Sequence, residues 1–176
     1  MADILKFFLL ILGGLLIFVS CWLAAEALFP ALVEGARKQY ARPVKLTFVG
    51  LAMVGPLLGV AFALTKIANN PLLNIAAFTV LGIVIFAGFA GSAGLAKRIG
   101  TGLPSPTDET QPWRRVLRGG IVLVLTFLLP FIGWIGLTIW TLVTGFAALV
   151  LAAREAKAAS ASPTMKSEPP AVPATA

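Results

Sequence analysis

Ser92 and Lys97 are the residues of this chain whose types and spacing come closest to a catalytic arrangement. Ser92 stands in the sequence GFAGSAG, where small neighbours could admit a nucleophilic hydroxyl. A serine nucleophile needs an adjacent base, and the chain contains no histidine. Lys97 follows five residues later and is expected at the membrane surface, away from the serine. We therefore predict that the protein is not an enzyme.

Glu26 is the acidic residue that falls inside a predicted membrane span. Ionisable residues within spans are candidates for function, so Glu26 is considered as a proton or cation site. Transporters usually use more than one buried polar group, and no second acid is predicted inside a span. The favoured interpretation is an ion pair with Lys45, or with Arg37, at the membrane interface.

Metal and cofactor chemistry has little support in the sequence. The chain has no histidine, one cysteine (Cys21) and scattered carboxylates, so we predict no metal site. It has no phosphate-binding loop and no dinucleotide fingerprint, so we predict no cofactor. Cys21 ends the sequence IFVSC, which is compatible with a lipoprotein processing site. The simpler interpretation is an apolar cysteine inside an uncleaved first span.

The composition places these residues in a bilayer. Of the 176 residues, 59% are hydrophobic and 12% are charged, and the mean hydropathy is +0.95. A water-soluble domain of this size could not cover so much apolar surface. We predict an all-α integral membrane bundle whose partner is the lipid bilayer. The net charge of +7 is assigned to cytoplasmic loops that contact anionic lipid, and no nucleic acid is expected as a partner.

Apolar runs and loop composition divide the chain into four parts. Residues 1–98 are predicted to form a three-span unit, with spans near 4–28, 46–65 and 72–96. Within that unit, residues 30–45 are predicted to form an interfacial segment with Ala31, Leu32, Val33 and Tyr40 toward lipid. Residues 99–112 are predicted to be a flexible cytoplasmic loop and residues 113–154 a membrane helical hairpin. Residues 155–176 are predicted to be a disordered cytoplasmic tail.

The hairpin prediction depends on the length of the run between Arg118 and Arg154. About 35 residues in one helix would measure about 52 Å, whereas the hydrocarbon core is about 30 Å thick. Pro130 interrupts a helix, Gly133 permits a tight turn and Trp134 suits the headgroup level. These residues therefore mark a turn, and whether the hairpin crosses fully or is re-entrant stays open. In both cases its two ends lie on one side.

The distribution of lysine and arginine orients the predicted spans. Four basic residues follow the first span and five follow the third, whereas only Lys66 follows the second. Basic residues concentrate in cytoplasmic loops. About five spans, with the N-terminus outside and the C-terminus inside, place every basic cluster in the cytoplasm.

Small residues in the second and third spans predict close helix packing. Gly55 and Gly59 form a GxxxG motif in the second span, and Gly88 and Ser92 form a related pair in the third. The favoured interpretation is that these two spans pack against each other. The alternative is a subunit contact or a thin-walled pore.

Three segments of the chain together resemble an uncharacterised bacterial membrane domain. They are LFPALVEGARKQYARPVKLTFVGLAMVGPLLGVAFAL, a turn marked by a proline, and the hairpin LRGGIVLVLTFLLPFIGWIGLTIWTLVTGFAALVLAAR. That domain occurs alone or behind a bactofilin-like, polymer-forming β domain. The most specific matching residues are Phe29, Pro30, Pro71, Pro130, Gly133, Trp134, Gly145 and Ala148. The chain departs from the pattern in the turn IANNP, where relatives tend to have a glycine before the proline. The resemblance implies a multi-pass protein of the bacterial inner membrane and says little about activity.

Two functions follow as expectations from these features. The first is a non-enzymatic scaffold or accessory subunit whose basic loops contact a membrane-protein partner or anionic lipid. The second is a small channel or transporter formed by a homo-oligomer.

Overall fold

A computed structural model describes residues 2–67, 71–103, 105–108, 110–129 and 132–161 of the chain. The described residues form helices and turns and contain no strand, which confirms the all-α class. The six α-helices are α1 (Ala2–Leu28), α2 (Pro30–Gln39), α3 (Pro43–Ile67), α4 (Pro71–Thr101), α5 (Trp113–Phe127) and α6 (Thr138–Ala161). A 3-10 turn at Pro106–Asp108 precedes α5, and a π-helical turn at Ile132–Leu137 precedes α6.

Proline residues begin three of these helices. Pro30, Pro43 and Pro71 are the first residues of α2, α3 and α4. The first position of a helix suits proline, since its missing N–H would have no partner within the helix. The same residues end the preceding segments, so the chain turns sharply between α1, α2 and α3.

Four segments are long and apolar enough to cross a membrane. They are Asp3–Leu28, Pro43–Lys66, Pro71–Thr101 and Ile135–Ala161. They support the prediction of a membrane protein with several apolar helices. The five predicted spans are not all established, because α5 has only 15 residues and measures about 22 Å.

Helix α4 lies at the centre and contacts each of the other five helices. Its glycines allow backbones to approach closely. A Cβ atom added at Gly88 would lie 2.7 Å from the carbonyl oxygen of Leu142 in α6, and one at Gly91 would collide with the backbone of Gly145. Residues that lack a side chain are therefore required where α4 meets α6.

Helix α5 packs on α4 in the opposite direction. Gly100 lies against the backbone of Arg115, and Gly119 lies against the backbone of Ala96. Residue numbers therefore rise along α5 as they fall along α4. Where α4 meets α6, Gly88 lies against Leu142 and Gly91 lies against Gly145, so residue numbers rise along both helices. Helix α6 therefore runs in the same direction as α4 and opposite to α5.

The second and third spans pack against each other as predicted, with Val54 of α3 and Val84 of α4 in one core cluster, but the GxxxG motif does not form this contact. A Cβ atom added at Gly55 or Gly59 would meet no atom within 4 Å, so these glycines face away from the bundle. Gly88 does mediate close packing, but against α6, and Ser92 contacts α1. A small-residue motif indicates that a close approach is possible, but it does not identify the surface that approaches.

The interfacial segment is docked on the bundle rather than laid on lipid. Val33 and Tyr40 are only 1% and 2% exposed, because α2 packs against α4 and α6. The prediction that Val33 and Tyr40 face lipid is therefore wrong, whereas Ala31 is exposed and Leu32 is half-buried. The amphipathic pattern correctly indicates that α2 has an apolar face, but it does not show whether that face contacts lipid or protein.

The loop and the tail carry more structure than the sequence indicated. Helix α4 continues to Thr101, and Asp108 forms ion pairs with Arg115 and Arg118 of α5. Helix α6 continues to Ala161, so residues 155–161 are helical instead of disordered. The remainder of the predicted tail lies outside the described residues.

The turn between α5 and α6 is partly described. The N–H of Gly133 donates a hydrogen bond to the carbonyl of Leu129 (3.1 Å). A Cβ atom at Gly133 would collide with the carbonyl oxygen of Thr126 at the end of α5, so glycine is needed for this close approach. Pro130 and the side chain of Trp134 lie outside the described residues.

Candidate functional site

Four ionisable side chains meet where α1, α2 and α4 come together. The Lys97 ammonium lies 2.7 Å from Oε1 of Glu26 and 3.3 Å from Oε2 of Glu34. The Arg37 guanidinium donates a hydrogen bond to Oε1 of Glu34 over 2.9 Å. Glu26 and Lys97 are 7% and 8% exposed, whereas the side chains of Glu34 and Arg37, at the edge of the group, are 36% and 32% exposed. We call Glu26, Glu34, Arg37 and Lys97 the buried charge cluster.

The chain turn after α1 brings two elements of this cluster together. Glu26 lies in the last turn of α1, and Phe29 closes that turn with an N–H bond to the Ala25 carbonyl (2.9 Å). Pro30 then begins α2, which carries Glu34. Gly94 allows α4 to approach α2 closely, since a Cβ atom there would lie 2.7 Å from the Ala36 side chain. The glycine thus allows α4 and α2 to approach at the distance over which Lys97, one helical turn further, reaches Glu34.

The predicted Glu26–Lys45 pair is wrong. Lys45 is exposed in the first turn of α3, and Glu26 is paired with Lys97. Lys97 itself is buried, contrary to the expectation that it lies at the surface. A pairing of Glu26 with Arg37 does not form either, since Arg37 is bonded to Glu34.

The charges of the cluster compensate one another. Two carboxylates face two cations, which is how proteins make buried charges tolerable. The hydrogen bond from Arg37 holds the pKa of Glu34 below its ordinary value, although partial burial raises it. The hydrogen bond and charge of Lys97 lower the pKa further. Oε2 of Glu26 is buried and has no hydrogen-bond partner among the described residues. The cluster therefore joins three helices and leaves one acceptor position open.

Ser92 is engaged as a structural residue. Its hydroxyl accepts a hydrogen bond from Nε1 of Trp22 in α1 (2.8 Å) and donates one to the Phe89 carbonyl (2.9 Å). Ser92 and Trp22 are 2% and 1% exposed. The conceivable Ser92–Lys97 pair is not formed, because the Lys97 ammonium is bound to the carboxylates of the buried charge cluster.

Two further polar contacts join α6 to α2 and α3. The hydroxyls of Tyr40 and Thr144 lie 3.3 Å apart, and burial raises the pKa of Tyr40, so its phenol stays neutral. Nε1 of Trp140 donates a hydrogen bond to Oγ1 of Thr47 (2.9 Å). Such hydrogen bonds between helices add to packing inside a membrane.

A second charged group lies at the start of α5. Asp108 is 7% exposed, pairs with Arg118 and lies 3.5 Å from Nε of Arg115. Burial opposes ionisation of Asp108, but hydrogen bonds from Arg118 and the Ser105 N–H outweigh it and lower the pKa of the carboxyl. The loop between α4 and α5 is therefore fixed to the helix that follows it.

Comparisons of the chain with protein-family models, with curated proteins and with solved structures give no match. The arrangement of side chains is therefore the basis on which function is argued. Within the described part of the chain, no three Cys, Asp or Glu side chains come together as a set of metal ligands.

Sequence reasoning missed the role of Lys97 because a lysine after an apolar run usually marks the end of a span. The signal that could have identified it is the spacing of Gly91, Gly94 and Gly100 around it. Residues three apart on a helix share a face. A lysine three residues from a packing glycine is therefore directed toward a neighbouring helix. Trp22 carried no comparable signal.

Proposed function

We propose that this chain is a non-enzymatic, multi-pass protein of the bacterial inner membrane that acts as a scaffold or accessory subunit. The observation that carries the proposal is the state of the polar groups inside the bundle. Lys97 is bound to Glu26 and Glu34, and Ser92 is bound to Trp22. These groups join helices, whereas a transport or catalytic site needs polar groups that are directed at a ligand.

The outer surface supports a role in contacting other molecules. The first half of α1 is exposed along its apolar side chains, with Leu10 and Ile4 each 74% exposed. Phe86 of α4 is 77% exposed. A bilayer or a partner helix must cover this surface. A scaffold or accessory subunit uses such faces to bind a membrane-protein partner beside the lipid.

The proposed orientation has the N-terminus outside and the C-terminus inside. It is supported by the basic residues of α2, of the end of α4 and of α6, against Lys6 and Lys66 at the opposite end. The bacterial location is supported by the resemblance of the hairpin segment to a bacterial membrane domain.

Affinity capture tests the scaffold proposal. The full chain, tagged after Ala176, is purified from its native membranes in mild detergent, and co-purifying proteins are identified by mass spectrometry. We expect a reproducible partner at a fixed ratio to the tagged chain. Recovery of the chain alone, or only with copies of itself, contradicts the accessory-subunit role.

A small oligomeric channel or transporter is the second candidate. The open space around Gly55 and Gly59 favours it, because a second copy could approach α3 closely there. Ion flux into liposomes that is lost in Gly59→Leu would support a pore. Equal flux into empty and protein-loaded vesicles would exclude it.

A further inference from the structure

A basic concavity opens between α2, the start of α3 and the end of α6. Its volume is about 370 Å³. Lys38 of α2, Arg42 of the following turn and Lys45 of α3 surround it. The apolar side chains that line it are Leu46, Val49 and Leu151. We call this feature the basic concavity.

The charges of the basic concavity are not compensated in the way that those of the buried charge cluster are. Across the described ranges, no carboxylate lies within 4.0 Å of the ammonium or guanidinium nitrogens of Lys38, Arg42 or Lys45. Glu155 is the one carboxylate that lines it, and it accepts a hydrogen bond from Nε2 of Gln39 (2.6 Å). Three cations and one carboxylate leave two positive charges, which attract an anion.

The position of the basic concavity matches a membrane–water boundary. Lys45 lies at the beginning of the apolar segment Pro43–Lys66, and its ammonium can reach the headgroup level. Phe48 and Leu51 follow on α3 and are 69% and 56% exposed, so an apolar surface continues from the cations toward the hydrocarbon. A ligand with an anionic head and apolar chains fits this order of charges and side chains.

We propose that the basic concavity binds the headgroup of an anionic phospholipid. The phosphate lies among Lys38, Arg42 and Lys45, and the acyl chains lie along the exposed apolar face of α3. Basic pockets between membrane helices bind lipid headgroups by the same combination of charge and apolar contact. The inference deepens the proposed function, because it names one ligand and one surface for the expected lipid contact.

Competition between two phospholipids tests the assignment. The full-length protein in mild detergent is titrated with phosphatidylglycerol against phosphatidylcholine, and bound lipid is measured by native mass spectrometry. We compare Lys38→Gln/Arg42→Gln/Lys45→Gln with a control that removes three cations elsewhere, Arg98→Gln/Arg114→Gln/Lys157→Gln. Neutralisation at the concavity should weaken phosphatidylglycerol binding about fivefold per cation, or roughly a hundredfold together. The control variant should bind like the wild type.

Glu155→Gln supplies a test with the opposite sign. It removes the one carboxylate of the basic concavity, so phosphatidylglycerol should bind more tightly. Equal loss in the concavity and control variants would overturn the assignment, since it would mean that only overall charge matters. Absence of any preference for phosphatidylglycerol in the wild type would overturn it as well.

The source of the phosphate is tested separately. Inorganic phosphate is added at millimolar concentration to the wild type that has been loaded with phosphatidylglycerol, and the bound lipid is measured again. It should not displace bound phosphatidylglycerol; displacement at low millimolar phosphate would overturn the lipid assignment and indicate a soluble anion site. Partner capture with the triple concavity variant separates the two proposals, because a retained partner leaves the scaffold role intact even if lipid binding fails.

Discussion

At the scale of single residues, the contrast between Lys97 and Lys45 shows how burial decides the effect of a charge. Lys97 is 8% exposed and contacts two carboxylates, whereas Lys45 is exposed in the first turn of α3. Removing one partner of a buried pair leaves the other charge without compensation, which costs several kcal/mol. Removing an exposed cation such as Lys45 leaves no buried charge without a partner.

Lys97→Met should therefore lower the free energy of unfolding by about 3–5 kcal/mol, because it leaves Glu26 buried and unpaired. Lys45→Gln should have little effect on stability. Glu26→Gln/Lys97→Met should recover much of the loss, since neither charge remains. Thermal unfolding in detergent measures all three, and an equal loss in Lys45→Gln and Lys97→Met would contradict the pairing.

The pKa of Glu34 predicts how stability depends on pH. Its folded pKa lies below the ordinary value of 4.5, because Arg37 and Lys97 stabilise the carboxylate. The ionised Glu34 therefore contributes its full stabilisation of the fold above pH 4.5. This contribution is lost as the pH falls through the pKa that Glu34 has in the folded protein. Thermal midpoints measured from neutral pH downward should stay level and then fall. The fall should be smaller in Glu34→Gln but unchanged in Asp3→Asn, whose carboxylate is 94% exposed.

At the scale of helices, backbone contact at glycines is the feature that determines which helices pack together. Gly91 lies against the backbone of Gly145, so α4 and α6 meet where neither has a side chain. Gly59 of α3 has open space around it. The same residue type thus has opposite tolerance to substitution at the two positions.

Gly91→Ala should destabilise the protein by about 1–3 kcal/mol or more, because a backbone cannot move aside as a flexible side chain can. Gly59→Ala should leave the stability of the single chain unchanged. Thermal unfolding in detergent checks both. A comparable loss in Gly59→Ala would mean that a second copy packs on α3, and the loss should then depend on protein concentration.

The helices themselves were largely predictable, and their partners were not. Long apolar runs mark α1, α3 and α4, because crossing a bilayer requires about 20 apolar residues, and prolines mark where α3 and α4 begin. No local pattern shows that α2 docks on α4 and α6, or that Lys97 pairs with Glu26 some 71 residues away. Within an apolar sequence nearly every helix face could face either lipid or protein, so the buried charge cluster required the three-dimensional structure.

At the scale of the whole molecule, the α5–α6 hairpin occupies only one half of the bundle. Phe18 of α1 contacts both Phe89 of α4 (4.9 Å between ring centroids) and Phe127 at the end of α5 (5.7 Å). Helix α5 therefore ends near the level of Gly88. From there α4 continues to Pro71, about 25 Å further at 1.5 Å per residue. Beyond the hairpin, α1, α3 and α4 extend with open space beside Gly13, Gly55 and Gly82.

This depth predicts that the hairpin enters the membrane from the side of α2 and turns back within the hydrocarbon. Single cysteines introduced in a Cys21→Ser background test it with a membrane-impermeant maleimide on intact cells. Lys66→Cys, at the opposite end, should react from outside, and Ser160→Cys should react only after the membrane is opened. Leu129→Cys, at the hairpin turn, should resist the reagent in both conditions, because it lies in the hydrocarbon. Reaction of Leu129→Cys from outside, at the rate of Lys66→Cys, would instead establish two full crossings and a chain of five spans.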